Sequence, residues 1–197
     1  GIVGLAGIHF LFMTGHTMLQ SIWVLYMSYR FGWSPGQVGI SLMVVGVASA
    51  IVQMRLVGPI LRRTGEKGGL VLGLLWTAIV FVLYGVAPQG WMIYILVCIG
   101  TLGGITGPAA QALITRRVPA DEQGAVQGSF GSLASLAGVF GPPLAAWSFG
   151  ACIAPGTRVQ LPGVAFFEAA LLCLAALALA LRTMGAPPAA APAPARV

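Results

Sequence analysis

A chain of 197 residues that is 58% hydrophobic and only 7% charged lacks the composition of a water-soluble domain, where about a quarter of residues carry charge. Its net charge of +6 falls in short gaps between apolar runs, which reads as a topology signal and excludes a nucleic-acid footprint. Cys98, Cys152 and Cys173 lie far apart without C-x-x-C spacing, which supports neither a zinc site nor a disulfide framework.

The hydrocarbon core of a bilayer is about 30 Å thick, so a spanning helix needs about 20 mostly apolar residues. Six runs qualify: Ile2 to Met27, Val38 to Val57, Gly69 to Val86, Trp91 to Ile114, Val126 to Phe149 and Pro162 to Leu181. Lipid offers backbone groups no hydrogen-bond partner, and the alternation of a barrel strand is absent, so the runs must be helices. The predicted fold class is an all-α membrane protein, a six-transmembrane-helix bundle over 1–182. An Ala/Pro-rich tail over 183–197 cannot bury a core and is predicted to be disordered and cytoplasmic.

The first run begins at once after Gly1 with no basic n-region, so no signal peptide is visible and a fragment is expected. It carries His16 near its middle, with Gln20 and Trp23 one and two turns on. An ionisable group at that depth is costly unless paired or wet, which makes His16 a candidate for proton exchange, as is Glu168 two turns into the last run. The second run holds Gln53 and also Arg55, whose long stem can extend to the surface. The following gap contains Arg62, Arg63 and Lys67.

The fourth run contains Gly100, Gly103, Gly104 and Gly107 before Pro108, and the fifth contains Gly128, Gly131, Gly138 and Gly141 before Pro142 and Pro143. Small residues let helix backbones approach closely in lipid. A proline at membrane depth removes an i to i−4 hydrogen bond and predicts a kink. Interrupted helices of this kind line cavities in carriers. Arg116 and Arg117 follow the fourth run, and Arg182 and Arg196 the sixth, whereas the opposite side has only Arg30 and Arg158. The basic side is cytoplasmic, which predicts an inner-membrane protein with both chain ends inside. With no phosphate loop, H-E-x-x-H or G-x-S-x-G pattern, no enzyme, cofactor or metal is predicted.

The gap Gly58-Pro59-Ile60-Leu61-Arg62-Arg63-Thr64-Gly65-Glu66-Lys67 resembles the G-x-x-x-D-R-x-G-R-K signature of the major facilitator superfamily. Arg62 replaces its Asp and Glu66 its second Arg, a looser form that suggests the second repeat. More narrowly, the chain is similar to the C-terminal half of the tetracycline-resistance branch of drug/proton antiporters. Trp23-Val24-Leu25, Arg30-Phe31-Gly32-Trp33, Val38 to Leu42, Gly65-Glu66-Lys67, Gly103 to Gln111, Gln123-Gly124 with Gln127-Gly128, and Gly141-Pro142 carry the likeness in order.

The resemblance implies that the six runs are spans seven to twelve of a twelve-span carrier, whose N-terminal six-span half would pack against them. It implies a substrate cavity touching His16, Gln20, Trp23 and Gln111, with His16 in place of a family Gln. Ser49 and Thr77 stand where close family members carry His and Asp. Gly138 to Pro142 would form, with Gly128 and Gly131, a pliable helix-packing seam. The expected function is efflux of a small hydrophobic drug-like compound by proton antiport and alternating access. The expected partners are membrane lipid, the substrate and protons. Two other readings are a self-contained six-span channel or interaction protein acting as a homodimer, and a metabolite carrier of the same fold.

Overall fold

The computed structural model describes residues 2–116, 118–154, 156 and 160–185. Arg117, Arg158, Arg196 and the tail beyond 185 lie outside the described residues.

Helix α1 spans Ile2–Phe31, about 45 Å of rise and longer than the hydrocarbon core. Gly32 ends it in the left-handed region at φ 64, where a residue without Cβ is at no disadvantage. Ser34 then caps α2, Pro35–Ile51, in a reciprocal capping box with Gln37, and Pro35 supplies a preset φ at the helix start. The turn is therefore written in four consecutive residues, Gly32 to Pro35.

From α2 the backbone passes through a π-helical turn, Val52–Leu56, into α3, Val57–Val86. The stretch Pro35–Val86 is 52 residues, about 78 Å if straight. It is not straight, because Gly65 at φ 69 and ψ 173 breaks α3. A Cβ at Gly69 would meet the Leu61 side chain, although eight residues of unbroken helix would separate them by about 12 Å. The chain doubles back at Gly65, leaving length for a crossing on each side. The stretch 58–67, expected to be a loop, is helical on both sides of that glycine.

Helix α4, Gly90–Gly100, tightens into a 3-10 turn at Thr101–Ile105 before α5, Thr106–Thr115. Helix α6 runs Gln123–Ile153 and continues through Pro142 and Pro143. Helix α7, Val164–Gly185, extends into the first residues of the predicted tail. No strand occurs among the described residues. Val3, Met54 and Trp147 are 86%, 82% and 72% exposed, so the outside of the bundle is apolar, as a lipid-facing surface must be.

Helix α1 packs on α6 and α7, α7 also covers α3, and α3 crosses the 3-10 turn and α5. The contacts are built from small residues. Gly73 receives Thr106 from the facing segment and Gly103 receives Thr77 in return. Each threonine hydroxyl donates within its own helix, Thr77 to the Gly73 carbonyl and Thr106 to that of Gly103, both at 2.8 Å. An aromatic knot of Trp23, Tyr26, Tyr84 and Phe166 joins α1, α3 and α7, with Tyr26 and Phe166 edge-to-face at 4.6 Å. Tyr26 Oη donates to the Tyr84 carbonyl at 2.9 Å, which satisfies a buried hydroxyl inside the knot.

Candidate functional site

A cavity of about 470 Å³ lies between α1, α2, α3 and the α4 to 3-10 stretch. Successive turns of α1 supply Phe12, His16, Gln20 and Trp23 to one wall, the spacing that puts side chains on a single helix face. The His16 ring stacks on Phe12, with centroids 5.9 Å apart at an interplanar angle of 20°. Its Nδ1 is buried with no hydrogen-bond partner, an arrangement native structures seldom leave unexplained. Trp23 is fixed more firmly. Its Nε1 donates to Ser41 Oγ at 3.0 Å, and that hydroxyl donates to the Val38 carbonyl at 2.7 Å.

Opposite α1, Ser49 and Gln53 enter from α2 and the π turn, Thr77 and Tyr84 from α3, and Thr101 and Gly104 from the 3-10 turn. The two irregular turns meet at one end. Pro108 has no N–H to offer the carbonyl four residues back, which is that of Gly104. Gln53 Nε2 donates to that carbonyl at 3.4 Å. The sequence predicts a kink at Pro108 itself. The helix instead tightens ahead of it, so that Pro108 sits in the first turn of α5, where helix formation needs no donor.

No Asp, Glu, Lys or Arg lines the cavity. Among the described residues no group of three His, Cys, Asp or Glu side chains could hold a metal ion. The wall is aromatic, aliphatic and neutral polar.

Of the residues expected to share this site, His16, Gln20 and Trp23 are brought together. Gln111 is not: it is exposed on α5, past the 3-10 turn that rotates this helix relative to α4. Glu168 is also outside the lining. Its Oε2 is buried without a partner on α7, whose neighbour Ala169 presents its carbonyl 3.0 Å from where a Gly15 Cβ would stand. Gly58 follows the π turn that carries Gln53, and Arg62, Arg63, Gly65 and Lys67 lie around the reversal at Gly65, outside the cavity lining, with Arg62 and Arg63 exposed.

The expected seam divides. Gly141 packs tightly on α1, where its Cβ would meet Thr17 Oγ1 and come within 3.1 Å of the Thr14 carbonyl. Gly128, Gly131 and Gly138 are exposed with nothing within 4 Å, and Pro142 is half-buried. Their spacing does not set them apart from Gly141; what differs is that α1 lies against Gly141 and leaves the other three open. Sequence reasoning missed Ser41, whose role depends on which residue of α1 faces it. It reached Ser49 by its place in a resemblance, and Thr77 both that way and as a polar group inside a span.

The profile of the Major Facilitator Superfamily matches residues 5–197. The chain is 35% identical over 158 residues to the tetracycline resistance protein, class C, of Escherichia coli, covering 80% of this chain and 39% of that protein. It is 34% identical over 142 residues to the class G tetracycline resistance protein of Vibrio anguillarum, covering 72% and 36%. It is 31% identical over 129 residues to the human hippocampus abundant transcript 1 protein, covering 66% and 26%. The chain thus spans less than two-fifths of the length of these relatives.

Proposed function

The chain belongs to the Major Facilitator Superfamily, a family of multi-pass membrane transporters, and on that footing we propose that it is the C-terminal, six-span half of a twelve-span efflux carrier. The carrier expels a small hydrophobic drug-like compound in exchange for protons entering the cell. His16, Gln20 and Trp23 contact the substrate; His16 and Glu168 are the protonatable groups this half contributes. Both ends of the chain are cytoplasmic, and Arg62, Arg63 and Lys67 with Arg116 mark the cytoplasmic end of the bundle.

The observation that carries the reading is the cavity itself. A cavity of about 470 Å³ between membrane helices, walled by aromatic rings and uncharged polar groups, suits a small organic molecule, whereas close-packed interiors seldom leave a gap larger than a water. The exposed Gly128, Gly131 and Gly138 on α6 support a second six-span half, because a stripe without side chains packs poorly against lipid tails and well against another helix. In the proposed cycle the two halves rock about the midplane site and expose it to each side in turn.

The test is reconstitution of the full-length protein in liposomes containing a pH-sensitive dye. Substrates are drawn from a growth-inhibition panel in a pump-deficient host. Substrate-dependent proton movement is expected. Transport that runs without it would make the protein a uniporter, and an inert panel would remove the efflux assignment.

A further inference from the structure

We infer that the pocket at the Gly65 reversal binds the headgroup of an anionic phospholipid of the inner leaflet, with Lys67 and Arg116 holding its phosphate. The inference rests on the proposed cytoplasmic placement of this end of the bundle and not on the transport cycle.

The pocket has a volume of about 400 Å³ and lies between the reversal in α3 and the end of α5. Thr64, Gly65, Glu66 and Lys67 form one side of it, Leu113 and Arg116 the other. The reversal makes the concavity. Gly65 turns the backbone at φ 69, and a Cβ there would meet nothing within 4 Å, so the mouth stays open. Leu113 is 5% exposed and gives the pocket an apolar floor. From here α3 runs directly into Gly69 to Val86, an apolar crossing, so the pocket lies at the depth of the headgroups. The exposed glycines of α6, where the second half is proposed to dock, lie on the far side of α1 and α7, because α6 packs on those two helices and α3 on α7 and α5.

Charge selects the ligand. Glu66 binds Arg116 through Nε at 2.8 Å, and a guanidinium has four further N–H donors. Arg116 is 77% exposed and Glu66 17%, so the acid sits behind and the rest of the fork faces outward. Lys67 is exposed beside it. A guanidinium fork and an ammonium point charge together suit the oxygens of one phosphate. Arg62 and Arg63, exposed just before the reversal, strengthen the same field. Glu66 is the only acid in the lining, and Asp121 and Glu122, on the connection to α6, do not reach it. Basic pockets at the cytoplasmic ends of membrane helices take lipid phosphate in this way. A zwitterionic headgroup brings a cation that these bases repel, and a soluble phosphate gains nothing from the apolar floor.

The experiment is native mass spectrometry of the detergent-purified full-length protein, titrated separately with dioleoyl phosphatidylglycerol, dioleoyl phosphatidylcholine, dioleoylglycerol and glycerol phosphate. Phosphatidylglycerol is expected to bind about tenfold more tightly than phosphatidylcholine, and dioleoylglycerol and glycerol phosphate more weakly than either. Lys67→Gln and Arg116→Gln are each expected to weaken phosphatidylglycerol about fivefold, the effect of one basic residue near an anionic surface. Arg182→Gln removes the same charge from an exposed position at the end of α7 and is expected to leave binding unchanged. Phosphatidylcholine binding, unaltered in all three variants, shows that they are folded; should Arg116→Gln not fold without its ion pair, Lys67→Gln carries the test. Equal binding of the two phospholipids, a loss in Arg182→Gln as large as in the pocket variants, or no loss in Lys67→Gln would overturn the inference. Glycerol phosphate bound as tightly as the lipid would also overturn it, assigning the pocket to a soluble phosphate. No substrate or gradient enters the measurement, so failure of the antiport reading leaves the result unaffected, and absence of the lipid leaves that reading intact.

Discussion

Arg116 Nε lies 2.8 Å from Glu66 Oε1, tying the turn that follows Gly65 to the end of α5. The pair brings two basic connections, 58–67 and the one after α5, to the same end of the bundle, which is what a shared membrane side requires. Arg116 is 77% exposed and Glu66 17%, so screening and side-chain entropy offset most of the attraction. Glu66→Gln and Arg116→Gln are each expected to cost less than about 1 kcal/mol, and a double-mutant cycle to return a coupling of the same order. Unfolding of the purified protein in detergent measures it, and a coupling several times larger would mean that the pair is sealed from water.

The start of α7 depends on a backbone-to-backbone contact. A Cβ at Gly163 would lie 2.7 Å from Gly85 Cα and closer still to the Gly85 carbonyl oxygen, and no side chain is available to rotate away. Gly163→Ala should therefore move α7 off α3 and cost about 1 to 3 kcal/mol, the usual range for overpacking. Gly128→Ala, at a site with nothing within 4 Å, should be neutral or slightly stabilising because alanine is the better helix former. Thermal melting of the two variants side by side decides the matter, and equal melting points would contradict the packing described.

Gln53 and Pro108 form a reciprocal pair across the cavity end. Gln53→Met removes the donor to the Gly104 carbonyl and should cost about 1 kcal/mol, the net worth of one hydrogen bond. Pro108→Ala restores an N–H that can reach the same carbonyl within the helix. The double variant should then regain the stability that Gln53→Met loses. A cycle in which the two effects simply add would show that Gln53 does not compensate for the proline.

The apolar runs and the turn from Gly32 to Pro35 are legible in the sequence because each rests on local chemistry: hydropathy over about 20 residues, a left-handed glycine, a capping serine and a proline at the helix start. The α1 wall of the cavity is reached from the sequence only through the family resemblance, which points to His16, Gln20 and Trp23; helical spacing adds that they share a face. The π turn at Val52–Leu56 and the 3-10 turn at Thr101–Ile105 are not legible. Nothing in Val52 to Leu56 predicts a change of register; it is seen only where Gln53 meets Gly104 on the neighbouring segment. The same change of register takes Gln111 off the cavity. The glycines of α6 look alike in sequence, and only the position of α1 separates Gly141 from the other three.

That separation yields a prediction about assembly. Gly141 is covered by Thr14, Thr17 and Met18 of α1, so Gly141→Leu would force apart two helices of the same bundle and should reduce the amount of folded protein in the membrane. Gly131 and Gly138 face open space. A leucine there has nothing to strike within this chain, and folding should proceed normally. If a second six-span half docks on that stripe, Gly131→Leu and Gly138→Leu should instead abolish transport in the full-length protein at normal expression, because the close approach depends on the missing side chains. Expression and transport measured together sort the three variants. Normal transport in Gly131→Leu and Gly138→Leu would mean that the stripe faces lipid or water, and that the partner half docks elsewhere.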